Sequence, residues 1–196
     1  MILRPRQAVL VERSIAALRQ HQNTLAVAPT GSGKTVMLSA VVGRVLAEPD
    51  AKACVLAHRD ELTAQNQAKF ARVNPGISTS VVDADAKSWS GRTTFAMVPT
   101  LTREANLAQM PVLDLIVVDE AHHATAASYR RVIDAAQSKN NRLQVFGVTA
   151  TPNRGDGVGL RVVFSNVADH IRLGELIASG HLVRPRTFVV DLGVQG

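Results

Sequence analysis

Short apolar, β-branched runs alternating with longer segments of helical period constrain this chain more than any other feature of its sequence. Thr24–Ala28, Ala53–Ala57, Thr93–Val98, Val112–Asp119 and Leu143–Thr149 read as strands, with Thr35–Ala47, Glu61–Ala71 and Ala126–Gln137 as helices between them. Strands separated by helix-length crossovers form a mostly parallel central sheet with helices on both faces, an α/β architecture. Leu115-Ile116-Val117-Val118 is apolar without alternation, as expected of a strand covered on both sides. Turn formers separate the elements at Glu48-Pro49-Asp50 and Asn74-Pro75-Gly76. The 196 residues, 46% of them hydrophobic, suffice for one substantial core, so one domain over residues 1–196 is expected.

After Thr149 the character changes. Residues 151–159, Thr-Pro-Asn-Arg-Gly-Asp-Gly-Val-Gly, read as a polar, glycine-rich loop that should be mobile unless a ligand or partner holds it. A short helix over Leu173–Ser179 and a last strand over Thr187–Val190 are expected beyond it.

Several classes are excluded early. The only cysteine, Cys54, lies in an apolar run, and one thiol makes neither an internal disulfide nor a cysteine metal site; it reads as a buried thiol in a reducing compartment. No apolar stretch approaches the roughly 18 residues of a membrane span, and the first residues lack the apolar core of a signal peptide. A cytoplasmic protein with no membrane partner is expected. The formal charge of +6 is spread along the chain, which permits a polyanionic partner such as nucleic acid without requiring one.

The chemistry begins at Ala28-Pro29-Thr30-Gly31-Ser32-Gly33-Lys34-Thr35, which follows a predicted strand and opens a predicted helix. A polyphosphate needs several backbone N–H groups converging on it, and glycines let the chain approach without a Cβ in the way. Thr30, Gly31, Ser32 and Gly33 supply such a cradle and the helix start adds its positive dipole end. Lys34 reaches the β- and γ-phosphates, and Thr35 supplies an oxygen to Mg²⁺. The first position is Ala28 where many such loops carry glycine. A chance turn before an ordinary helix is the bland alternative.

A phosphate cradle alone only binds nucleotide; hydrolysis also needs a metal ligand and a group that positions water. Both appear at the end of the apolar strand, in Asp119-Glu120-Ala121-His122-His123. Strand ends in parallel sheets open into the crevice where ligands bind. Asp119 is therefore expected to partner Mg²⁺, directly or through water, and Glu120 to orient or deprotonate the attacking water. A solvated helix cap is the bland reading of the acidic pair. The adjacent histidines are expected to point in different directions, and no cysteine or third histidine stands at ligand spacing, which argues against zinc. His122 is expected to hydrogen-bond across the site.

Asp119-Glu120-Ala121-His122 together with the phosphate loop resembles motifs II and I of the DEAH-type superfamily 2 helicases, whose first motor domain has a RecA-like P-loop NTPase fold. Arg4-Pro5-Arg6-Gln7 is similar to the family's entrance segment, which implies that Gln7 reads adenine. Leu56–Leu62 resembles motif Ia and Val98–Arg103 motif Ib, which implies nucleic-acid contacts for Arg59, Thr100 and Arg103. Pro99 departs from the usual polar residue there. Thr149-Ala150-Thr151 resembles motif III, giving Thr149, Thr151 and His122 a coupling role. Residues 151–160 and 175–182 look like the branch containing the type III restriction enzyme Res subunit and XPB-like helicases.

The resemblance implies ATP and Mg²⁺ as cofactors, nucleic acid as partner with DNA favoured over RNA, and a second RecA-like domain, carrying an arginine finger, that this sequence does not contain. The 196-residue piece is accordingly expected to bind ATP and hydrolyse it slowly. A kinase would need an acceptor site and lid, and a GTPase an Asn-Lys-x-Asp segment; neither is visible. A nucleic-acid-binding or assembly module that keeps ATP without motor activity is the alternative from a different class.

Overall fold

The computed structural model describes residues 2–150 and 157–180. Helix α1 (Pro5–His21) precedes β1 (Asn23–Val27), and α2 (Lys34–Val45), β2 (Ala53–Ala57), α3 (Asp60–Val73) and β3 (Thr79–Val82) follow. Then come β4 (Thr93–Met97), the short helices α4 (Val98–Leu101) and α5 (Glu104–Ala108), and β5 (Leu115–Asp119). A 3₁₀ turn (Ala121–Thr125), α6 (Ala127–Lys139), β6 (Gln144–Thr149), α7 (Gly157–Val163), β7 (Val167–His170) and α8 (Leu173–Ala178) complete them. Among the described residues seven strands form one sheet in the order β3-β4-β2-β5-β6-β1-β7, with every neighbouring pair parallel. The expected α/β class with a parallel sheet is what the chain adopts.

Alternate strand residues feed two separate cores, as the period of two requires. On one face Ala26, Val55, Phe95, Leu115, Val117 and Phe146 pack under α1, α2 and α3. On the other, Val27, Leu56, Ile116 and Val118 pack under α4 and α6, where Tyr129, Val132 and Ala136 are buried. Burial on both sides is why these strands lack polar alternation. Asp119 follows Leu115 and Val117 in the same parity and so belongs to the α2–α3 face. Cys54 is fully buried and its thiol is pushed up by that burial, so it stays protonated and inert.

Two expectations need correction. The strand expected from Val112 begins at Leu115, because pairing starts where the Lys52 N–H donates to the Asp114 carboxylate at 2.8 Å and Asp114 N–H to the Lys52 carbonyl, leaving Val112 exposed. The glycine-rich loop does not run through residue 159, since α7 already starts at Gly157. Leu160 and Phe164, four apart, bury on one helical face, and the Phe164 ring fills the space where a side chain on Gly147 would stand. The short strands β3 and β7 and the helix α1 were not singled out in the sequence. The expected strand Thr187–Val190, and Thr151, lie outside the described residues.

Candidate functional site

The phosphate loop leaves the sheet where the Ala28 N–H donates to the Thr149 carbonyl at 3.0 Å, with Ala28 fully buried between β1 and β6. That packing accounts for a small residue at position 28. Gly31 (φ 88°) and Gly33 (φ 83°) both adopt the left-handed conformation that glycine reaches without strain. Ser32 ties the loop to itself, its N–H and hydroxyl both donating to the Pro29 carbonyl. The first-turn amides of the twelve-residue α2 then have no intrahelical acceptor and open into the loop. Thr30 is exposed at its tip.

Gln7 braces this loop from α1. Pro5 occupies the helix's first turn, where a missing N–H costs nothing. The Gln7 side chain is 5% exposed, donating to the Ser32 carbonyl at 2.9 Å and accepting from the Arg4 N–H at 2.9 Å. A Cβ on Gly33 would collide with the Gln7 amide. One donor and one lone pair of Gln7 carry no bond from these two contacts.

The second half of the site comes from the tip of β5. Asp119 is 6% exposed; one oxygen accepts the Glu120 N–H at 2.9 Å and the other accepts from the Asn66 amide at 3.0 Å. Asn66 lies on α3, and its carbonyl oxygen accepts from the Thr35 hydroxyl at 3.2 Å. Glu120 is a non-glycine residue at φ 56°, a conformation that costs about 1–3 kcal/mol and recurs where a site holds a side chain in place. The turn presents its carboxylate between two nitrogen groups: Oε1 lies 3.7 Å from Lys34 Nζ and Oε2 lies 3.6 Å from His122 Nε2. Lys34, Thr35, Asp119, Glu120 and His122 thus gather at one edge of the sheet.

The two histidines do not diverge as expected. Their ring centroids are 4.2 Å apart, and His123 also stacks on His58 at 5.3 Å and faces Tyr129 at 6.1 Å. Burial lowers the His123 pKa below its ordinary value, and the neighbouring His122 and His58 lower it further. Burial raises the Tyr129 phenol, reinforced by Asp119 and Glu120, and its hydroxyl has no hydrogen-bond partner among the described residues. Glu120, His122 and His123 each offer a ligand atom within 4.8 Å of the others, with the two imidazole rings tilted at 43° to one another. The Thr35 hydroxyl and Asp119 carboxylate, linked through Asn66, instead form an all-oxygen donor pair suited to a hard cation that keeps several waters, as Mg²⁺ does.

The residues assigned to nucleic acid are more dispersed. Arg59, preceding α3, and Arg103, between α4 and α5, are exposed, whereas Thr100 is 7% exposed and its carbonyl accepts from Asn106 at 2.9 Å. Asn66 and His58 escaped the sequence reading. Asn66 was findable, because Thr63, Asn66 and Phe70 form a buried stripe at helical spacing in which one member is an amide. The stacking of His58 on His123 had no signal of its own. Asp169 on β7 was also missed: its carboxylate pairs with Arg6 and, at 2.9 Å, with Arg13, while Arg6 also reaches Glu175 at 3.1 Å. These pairs pin α1 to the edge strand, which holds Gln7 against the loop.

Sheet order, phosphate loop and acidic strand end define a RecA-like α/β domain. Residues 1–154 match the family described as type III restriction enzyme, res subunit, and the chain belongs to that family. It is 30% identical over 192 residues to a Schizosaccharomyces pombe protein named as a mitochondrial ATP-dependent helicase, irc3, covering 94% of this chain and 32% of that protein. It is 28% identical over 189 residues to IRC3 of Saccharomyces cerevisiae, also named as an ATP-dependent helicase, covering 90% of this chain and 27% of the relative. The Pyrococcus furiosus Hef helicase domain has the same fold at 20% identity, with a TM-score of 0.71 over 86% of this chain and 37% of that one. The chain therefore spans about a third or less of the length of these curated relatives. No helix among the described residues is long and apolar enough to cross a membrane.

Proposed function

We propose that this chain is the ATP-binding first motor domain of a DEAH-type helicase or translocase that works on DNA in preference to RNA, in partnership with a second RecA-like domain. The reading rests on one observation: Lys34 and Thr35 of the phosphate loop and Asp119 and Glu120 of the β5 tip converge on a single crevice. Oxygen donors, an ammonium and a second carboxylate there are what phosphoryl transfer to water requires.

In that mechanism the cradle amides and Lys34 take the phosphates, and the Lys34 ammonium exchanges Glu120 for phosphate oxygens. Glu120, released from that ion pair, orients the attacking water and accepts its proton on a carboxylate oxygen. Thr35 and Asp119 would hold Mg²⁺, which would supply neutralisation of phosphate charge. Gln7 keeps the loop in shape and reads adenine, while His122, Thr149 and Thr151 relay the state of the nucleotide. Arg59, Thr100 and Arg103 contact the nucleic-acid backbone. The partner domain supplies an arginine finger, a contribution worth about 10³–10⁵ in rate in other phosphoryl-transfer systems. Closing the two domains on ATP and reopening after hydrolysis gives stepping. A reducing, cytoplasm-like compartment suits the buried thiol of Cys54.

ATP turnover by the intact protein, measured with and without DNA or RNA, tests the reading. DNA-stimulated turnover is expected. ATP binding without turnover under any nucleic acid would favour the assembly module instead, and stimulation by RNA alone would reverse the substrate assignment.

A further inference from the structure

The amide of Asn66 meets two partners at once, one as acceptor and one as donor. It is 2% exposed, on the face of α3 that it shares with Thr63 and Phe70. Its oxygen accepts from the Thr35 hydroxyl at 3.2 Å and its nitrogen donates to Asp119 at 3.0 Å, so one side chain joins the phosphate-loop helix to the β5 tip. Asn66 lies in neither of these segments and is reached from a third element. We propose that Asn66 is the positioning residue of the magnesium site, orienting the Thr35 hydroxyl and the Asp119 carboxylate for a shared cation. This rests on the reading of Thr35 and Asp119 as the groups that hold Mg²⁺.

The chemistry favours an amide over the alternatives. A hydroxyl that gives its proton to Asn66 turns its lone pairs away from that bond, which leaves the Thr35 oxygen ready to act as a ligand. A neutral N–H donor satisfies one oxygen of a buried carboxylate without cancelling its charge, whereas a lysine or arginine there would compete with the cation. The Glu120 N–H holds the other Asp119 oxygen at 2.9 Å, so the carboxylate plane is fixed from two sides. Flipping the amide would set its oxygen against Asp119 and its N–H₂ against a hydroxyl that can reorient, so the bond to Asp119 fixes the orientation. Partners that orient metal ligands typically change metal affinity by about 10–100-fold when removed.

The test separates a metal-positioning role from simple satisfaction of a buried carboxylate. Binding of a fluorescent ATP analogue is measured in excess Mg²⁺ and in EDTA, together with the Mg²⁺ concentration at half-effect, for the unaltered chain, Asn66→Ala and Asn66→Ser. Each variant is first checked for a cooperative melting transition; serine keeps a hydroxyl but is too short to bridge both partners, and either variant suffices if the other fails to fold. The inference expects the Mg²⁺-dependent gain in affinity to shrink by about 10-fold or more and the half-effect concentration to rise by a similar factor, with affinity in EDTA within about two-fold of the unaltered chain. An unchanged Mg²⁺ response in a folded variant, with only a lower melting temperature, would overturn it. If the unaltered chain bound the analogue without any Mg²⁺ dependence, the site reading itself would fall, an outcome the variants are not needed to recognise.

Discussion

The Lys34 ammonium lies 3.7 Å from the Glu120 carboxylate, pairing the cation of the phosphate loop with the acid at the end of β5. Both groups are partly open to solvent, at 18% and 36% side-chain exposure, so the contact is a modest one that an arriving phosphate can displace. In the proposed mechanism, the residue that would handle water is thus the ion-pair partner of the residue that would hold phosphate. Exchange of partners in that mechanism would link nucleotide arrival to release of the base.

Glu120→Gln removes the proton acceptor while keeping size and hydrogen-bonding capacity. In the intact protein it is expected to retain ATP binding and lose turnover by about 10²–10⁴-fold, as deletion of a general base does. Parallel binding and steady-state measurements check this, and a variant that cycled at the normal rate would remove Glu120 from the mechanism.

His123 is held neutral in its stack by burial and by the neighbouring His122 and His58. Its folded pKa lies below the ordinary 6.5, so between the two values the unfolded chain binds more protons than the folded one. This contribution to stability is complete above about pH 6.5 and is lost as the pH falls through the folded value. His123→Phe, which keeps a flat ring without a titrating group, should flatten the fall of melting temperature between about pH 7 and pH 5. An unaltered slope would show that the stack does not carry this pH dependence.

Burial raises the Asp169 carboxyl, but hydrogen bonds from Arg6, the His170 N–H and Arg13 outweigh it and leave the group below its ordinary value. A lowered carboxylate stabilises the fold above its unfolded pKa, and that share is lost as the pH falls through the folded value. Asp169→Asn should cost on the order of 2 kcal/mol near neutral pH, with the loss shrinking in acid, since charge-assisted hydrogen bonds are worth about 1.5–3 kcal/mol. Chemical denaturation at several pH values measures both. Because these pairs hold α1, and with it Gln7, against the loop, nucleotide affinity should weaken in the same variant.

Most of the architecture was legible because a parallel sheet buried on both faces writes itself as uninterrupted apolar runs; β2 falls on the residues the pattern marks, Ala53–Ala57. Edge strands are different. In β7 only Asp169 is buried, and that because of arginines on a distant helix, so nothing local announces a strand. The glycines of residues 155–159 read as loop chemistry, yet α7 begins within them because Leu160 and Phe164 find the core. The same division runs through the site. Lys34, Thr35, Asp119 and Glu120 carry their chemistry in short motifs, whereas Asn66 acquires its role only when α3 is laid against α2 and β5. The parting of His122 and His123 was misjudged because adjacent residues in a 3₁₀ turn do not spread as they would in a strand.

The central claim, that the glycine loop and the β5 acids form one Mg²⁺·triphosphate site, is tested most directly by calorimetric titration of this chain and its Lys34→Ala variant with ATP in the presence of Mg²⁺. The account predicts one binding site in the unaltered chain and about 10–100-fold weaker binding when the ammonium is removed, the scale of one or two charge-assisted hydrogen bonds. Equal affinity in the two proteins would contradict it.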